Sequence, residues 1–139
     1  MEKNAIVRIT DENPAYTSIT GTDKKERAKL YNAIENPDGK LSDFINKKLK
    51  VSDVYMEKTE IMERDDEGNP TGVLVEVVKT VLITPDGKAY FSTAKGITKA
   101  MYTMFSIYGT PDTWDEPMEI MIEQKEIGKN RTFKIKVCS

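Results

Sequence analysis

The chain has 139 residues, a net charge of −2, no histidine and one cysteine, Cys138. It therefore lacks the usual general base, the commonest imidazole metal ligand and any internal disulfide, and composition disfavours zinc hydrolases and Ser-His or Cys-His nucleophile systems. With 38% hydrophobic and 32% charged residues, a single domain with its own core is expected, and no apolar run approaches the roughly 18 residues of a membrane span.

In chain order, MEKNAIVRIT has no signal-peptide run, and Ala5–Ile9 fits a short edge strand. Residues 1–23 read as an N-terminal extension. Within it Asp11–Asp23 is loop-like, with Tyr16 and Ile19 placed to tack it to the body. Lys24–Glu35 has two readings. Helix formers after Thr22-Asp23 fit a capped helix. Alternation of Ala28, Leu30 and Ile34 against Arg27, Lys29 and Tyr31 fits a strand.

Asn36–Gly39 is a turn. Leu41, Phe44, Ile45 and Leu49 suggest one or two helical turns, with Ser42 as a cap. Lys50–Glu63 reads as a long bent strand shared between two sheet surfaces. Arg64–Gly72 is a solvated hairpin tip. The acidic run Glu63–Glu67 lacks the spacing of a calcium loop. Val73–Thr84 is the most strand-like segment and fits a central strand.

Thr84-Pro85-Asp86-Gly87-Lys88 is a tight turn, after which alternation points only one of Tyr90 and Phe91 outward. Ser92 and Thr93 offer caps to a helix with Ile97, Ala100, Met101, Met104, Phe105 and Tyr108 as its apolar stripe. Gly109 sits at the left-handed C-terminal position. Thr110–Pro117 is an extended linker. Met118–Glu126 and Arg131–Cys138 form a hairpin through Ile127–Asn130. Phe133, Ile135 and Val137 share one face of its last strand, and Lys134 and Lys136 share the other. Gly87 and Gly96 match neither a phosphate loop nor a dinucleotide fingerprint, so no cofactor is expected.

Several stretches resemble the single-stranded DNA-binding proteins of phages of Gram-positive bacteria: YNAIENPDGKLSDFIN (31–46), KVSDVYMEKTEI (50–61), TVLITPDGKAYFSTAKGITKA (80–100), WDEPMEIMIEQ (114–124) and the closing KIKV. A more distant likeness is to the corresponding protein of small protein-primed Bacillus phages. It rests on Asn32-Ala33, the Asp-Gly turn and the Thr93-Ala94-Lys95 helix start. The resemblance spans Lys24–Val137. It implies a mainly β protein: a five-stranded OB-fold barrel with one α-helix between strands 3 and 4 and Lys24–Glu35 as a strand. It also implies a non-catalytic, sequence-independent single-stranded DNA binder that protects strands during phage replication or recombination in the host cytoplasm. The implied partner is single-stranded DNA. Phage replication or recombination proteins and a homo-oligomer are compatible, and no membrane is involved. The chain ends in Lys136-Val137-Cys138-Ser139, without the acidic tail by which bacterial homologues recruit partners.

Such a protein needs cations that follow phosphates and aromatic faces on which bases stack. The candidates are Lys29 and Tyr31 on the first expected strand, Tyr55 and Lys58 on the second, and Lys79 on the third. Tyr90, Trp114, Arg131 (with Lys129 and Asn130 at the hairpin tip), Lys134 and Lys136 follow, and Lys47-Lys48 in the bridging helical turns are a further candidate for phosphate contact. Tyr55 and Lys58 cannot share a face unless the strand bulges. Each candidate has a plainer reading: an aromatic in a small barrel packs in its core, Trp114 plugs the barrel end, and an outward lysine keeps the surface soluble. Phe91, Phe105 and Phe133 read as core. A β-barrel structural or virion-assembly protein with no nucleic-acid role is the alternative, and a small enzyme is disfavoured by the missing catalytic residue types.

Overall fold

The computed structural model of the chain describes residues 8–128 and 130–138. The edge strand expected at Ala5–Ile9 lies outside them except for Arg8 and Ile9, which are not in a strand.

Lys24–Glu35 is a helix, α1, and the strand implied by the resemblance is corrected. Asp23 is extended, and its Oδ1 accepts a hydrogen bond from Glu26 N at 2.7 Å, satisfying a first-turn donor that the helix leaves open. Glu26, Lys29, Leu30, Ala33 and Ile34 are its less exposed residues, at spacings of three and four, whereas Ala28 is exposed. A strand would have turned Ala28 inward beside Leu30. At the other end Lys79 Nζ donates to Ile34 O at 3.2 Å, placing a cation where the helix dipole is negative.

The strands form two sheets and no closed barrel among the described residues. The larger sheet contains β1 (Ala15–Thr17), β2 (Gly39–Lys40), β4 (Asp53–Arg64), β5 (Pro70–Ile83) and β6 (Ala89–Ser92), in the order β1-β4-β5-β6-β2. The smaller contains β3 (Lys48–Val51), β7 (Met118–Ile127) and β8 (Asn130–Val137), in the order β3-β7-β8. Only Ser52 separates β3 from β4. Its N and Oγ both donate to Ile83 O, at 2.8 and 3.2 Å, as the chain crosses from one sheet to the other. The expected long bent strand is therefore present, and β5 is central to its sheet. A 3-10 turn at Leu41–Phe44 carries the buried Leu41, while Leu49 belongs to β3. Asp43, not Ser42, supports that turn, accepting from Lys40 N at 3.3 Å.

The second helix, α2 (Lys95–Tyr108), buries Ile97, Met101, Met104 and Phe105, while Tyr108 at the end of the expected stripe is exposed. No side chain caps it. Ser92 Oγ acts one step early and accepts from Ala94 N at 3.0 Å. Gly109 ends the helix with φ of 81°, a conformation that a Cβ disfavours. The one-helix expectation is thus corrected to two helices.

The larger sheet is covered on both faces. On one, α1 packs Leu30 and Ala33 against Val81, Ile83 and Ala89. On the other, Val54, Met56 and Leu82 meet Ile97, Met101 and Phe105 of α2 and Leu49, Val51, Ile120 and Ile122 of the smaller sheet. The smaller sheet has only one face in this core. Its other face is in solvent, which is why its strands alternate apolar and polar.

Candidate nucleic-acid interface

The solvent face of the smaller sheet is built by register. Inward parity takes Leu49, Val51, Ile120, Ile122, Phe133, Ile135 and Val137 into the core. Outward parity leaves Lys48 and Lys50 on β3, Glu119, Met121, Glu123 and Lys125 on β7, and Lys134 and Lys136 on β8. Across the sheet, Lys48 is opposite Met121 and Met121 opposite Lys136; Lys50 is opposite Glu119; Glu123 is opposite Lys134. Five exposed lysines therefore share a face with two half-buried glutamates. The ion pairs among the described residues use Lys29 and Lys58 and none of these five. Neighbouring strands are about 4.8 Å apart and alternate residues on a strand about 6.8 Å apart, so the ammonium groups make a patch rather than isolated points.

At the Lys50 end this face opens into a cleft of about 790 Å³ that is also bordered by Glu119 and Cys138 and contains Tyr108 and Trp114. Trp114 Nε1 donates to Gly109 O at 3.0 Å, fixing the indole beside the C-terminus of α2. Asp115 and Glu116 are also on its rim. An anion is unwelcome there, but a flat, uncharged base that stacks on an aromatic ring is not. A patch of cations and a pair of aromatic rings are thus adjacent but separate.

The other expected site residues lie elsewhere. Lys29 reaches Asp53 at 3.5 Å. Lys58 is held by Asp11 and, at 3.0 Å, by Glu76; hydrogen bonds to both raise its pKa. Lys79 is bound to the α1 carbonyl and lies 5.3 Å from the centre of the Phe91 ring. Tyr55 and Lys58 are on opposite faces of β4, which is unbulged until Met62. Tyr55 is half-buried beside Leu30 and Phe91, and burial, helped by Glu57, pushes its hydroxyl up to about 12. Tyr90 packs edge-on against Phe44, ring centres 4.5 Å apart, on the main-core side of β6, with Phe91 on the opposite side. Tyr31 is exposed on α1. The side chains of Arg131 and Asn130, and all of Lys129, lie outside what the structure describes.

Of the expected residues, then, the sheet face and its cleft bring together Trp114, Lys134 and Lys136. Lys50, Lys125 and Tyr108 join them without having been among the sequence candidates, and Lys48, offered only with Lys47 on a bridging helical turn, joins them from β3. The signal that could have found two of them is the tetrapeptide KLKV at 48–51, which repeats the alternation of KIKV at 134–137. The two segments are the outer strands on either side of β7. Among the described residues no cluster of acidic or cysteine side chains could hold a metal ion, and no helix is long and apolar enough to cross a membrane.

A cationic sheet face beside aromatic rings is the kind of surface with which proteins hold unpaired nucleic-acid strands. The chain belongs to the Phi29-type family of phage single-stranded DNA-binding proteins, whose family model matches residues 10–136. No curated protein and no solved structure matches it significantly.

Proposed function

We propose that this protein binds single-stranded DNA without sequence preference and covers it during phage replication or recombination. The outer lysines of the smaller sheet follow the phosphates, and Trp114 and Tyr108 receive bases. Family membership supports the ligand class. The observation that carries the placement is the register that puts Lys48, Lys50, Lys125, Lys134 and Lys136 on one solvated face beside the aromatic cleft. Sequence tolerance follows from the chemistry. Lysine–phosphate contacts and stacking are available to every base.

Titration of the intrinsic tryptophan fluorescence with oligo-dT, oligo-dC and oligo-dA at two salt concentrations tests this. Trp114 is the only tryptophan in the chain, so quenching reports on the cleft directly. Quenching by all three, weakening as salt rises, is expected. Absence of quenching rejects the cleft, and affinity indifferent to salt rejects the lysine face.

A further inference from the structure

The hairpin of β4 and β5 projects beyond the body: every residue from Glu60 to Leu74 is exposed. Register places Met62 opposite Leu74 on one face of this ribbon and Ile61 opposite Val75 on the other. Leu74 is 58% exposed and Val73 50%. A two-stranded ribbon is marginal by itself in water, and apolar side chains on both its faces mark it as a surface to be covered. From Glu60 to Glu76 it carries six acidic residues and one basic residue, Arg64. That balance repels phosphates. The complementary surface is apolar with a positive rim.

The same chain has such a surface. Between α2 and β8 a groove of about 540 Å³ is lined by Met104, Ile107, Phe133 and Ile135, and its charged residues are Lys99 and Lys134. Ile107 is 65% exposed there.

We infer that the ribbon of one copy docks into the α2–β8 groove of the next, with Met62 and Leu74 against Ile107 and the acidic tip near Lys99. Ribbon and groove are different patches, so the contact is head-to-tail. It generates an open row or a ring and not a two-fold dimer. Lys134 belongs to both the groove and the lysine face, so a docked ribbon ends beside the lysine face of the copy that receives it and links copies that cover one strand. That use rests on the proposed DNA reading; the self-association does not.

Sedimentation of the full chain, with and without long oligo-dT, is the test. The wild-type mass is expected to rise with concentration. Leu74→Asp keeps the groove and loses the ribbon; Ile107→Asp keeps the ribbon and loses the groove. Each should be monomeric alone, and their equimolar mixture should double in mass and grow no further. A wild type that stays monomeric throughout, a mixture that stays monomeric, or a Leu74→Asp variant that still self-associates overturns the contact. Unchanged circular dichroism and unchanged binding to an oligo-dT long enough for only one copy separate these results from misfolding and from failure of the DNA reading.

Discussion

Lys48 and Lys136 flank Met121 in one row across the outer sheet face. Each cation that neutralises a phosphate adds about 0.7 to the slope of log affinity against log salt for a single strand. Replacing both with alanine is therefore expected to flatten that slope by about 1.4 and to leave stability within about 0.5 kcal/mol of wild type, as for ordinary surface changes. Fluorescence titrations over a series of salt concentrations measure it, and an unchanged slope removes both lysines from the phosphate path. Lys29→Ala is the contrast, because Lys29 faces Asp53 and its loss should leave the slope alone. Lys136 was legible from sequence because the last strand alternates over many residues. Lys48 was legible only as a cation on a bridging helix and not as part of a sheet face: Leu41, Phe44, Ile45 and Leu49 also fit helical spacing, and a four-residue strand is too short for its period to decide. A second residue-scale prediction concerns Tyr16 and Tyr55, whose hydroxyls are raised from 10.0 to about 12, chiefly by burial. Below pH 10 both states keep them protonated and stability is complete. Between about 10 and about 12 the unfolded chain releases these protons first, so stability falls as pH rises. Tyrosinate absorbance should show a late-ionising component that joins the other tyrosines in denaturant; its absence would place both hydroxyls in water.

At the scale of elements, α1 shows local chemistry prevailing over resemblance. The Asp23 cap, the unbranched helix formers and the spacing of Leu30, Ala33 and Ile34 were all readable, and they describe the observed helix. The strand expectation came from an architecture, and nothing in the segment needed it. Asp23→Ala is expected to lose about 1 kcal/mol, with the loss seen as reduced helical circular dichroism and a lower melting temperature. The start of α2 makes a sharper case. A Cβ on Gly96 would stand 2.1 Å from Phe133 O of β8. Alanine is worth up to about 1 kcal/mol more than glycine inside a helix, yet here the obstacle is backbone, which no rotamer change relieves. Overlap of this kind typically costs about 1–3 kcal/mol, so Gly96→Ala should lower the unfolding midpoint despite the better propensity. A raised midpoint would mean that α2 and β8 separate easily. Sequence could not show this approach, because it joins residues far apart in the chain that no periodicity connects.

At the scale of the whole molecule, the expected run of strands, helix and hairpin was read correctly after Lys24–Glu35, which is a helix, but its closure into a barrel was not. The passage of the bent strand between sheets was read: Ser52, the single residue between β3 and β4, is bonded twice to Ile83 O where the chain crosses. Which strands then pair, β1-β4-β5-β6-β2 in one sheet and β3-β7-β8 in the other, joins residues far apart in the chain, and periodicity does not register such pairing. The division matters for charge. A net charge of −2 and a pI near 5.3 make the molecule as a whole a poor polyanion ligand, while the smaller sheet collects lysines and the projecting ribbon collects acids. Attraction is then local, and a rigid duplex, wide and doubly charged, meets the acidic parts that a flexible single strand can avoid. On the proposed reading stacking sharpens the difference, because an aromatic ring takes a base on its face only if that base is unpaired, at about 1–3 kcal/mol per base. Duplex of equal length is therefore expected to compete for labelled oligo-dT at least tenfold less well than unlabelled oligo-dT, a factor equivalent to about 1.4 kcal/mol. Tyr108→Ala, at an exposed position, should narrow that gap by weakening single-strand binding while leaving duplex binding unchanged. Equal competition by duplex and single strand would mean that the lysine face acts alone and that the cleft takes no base.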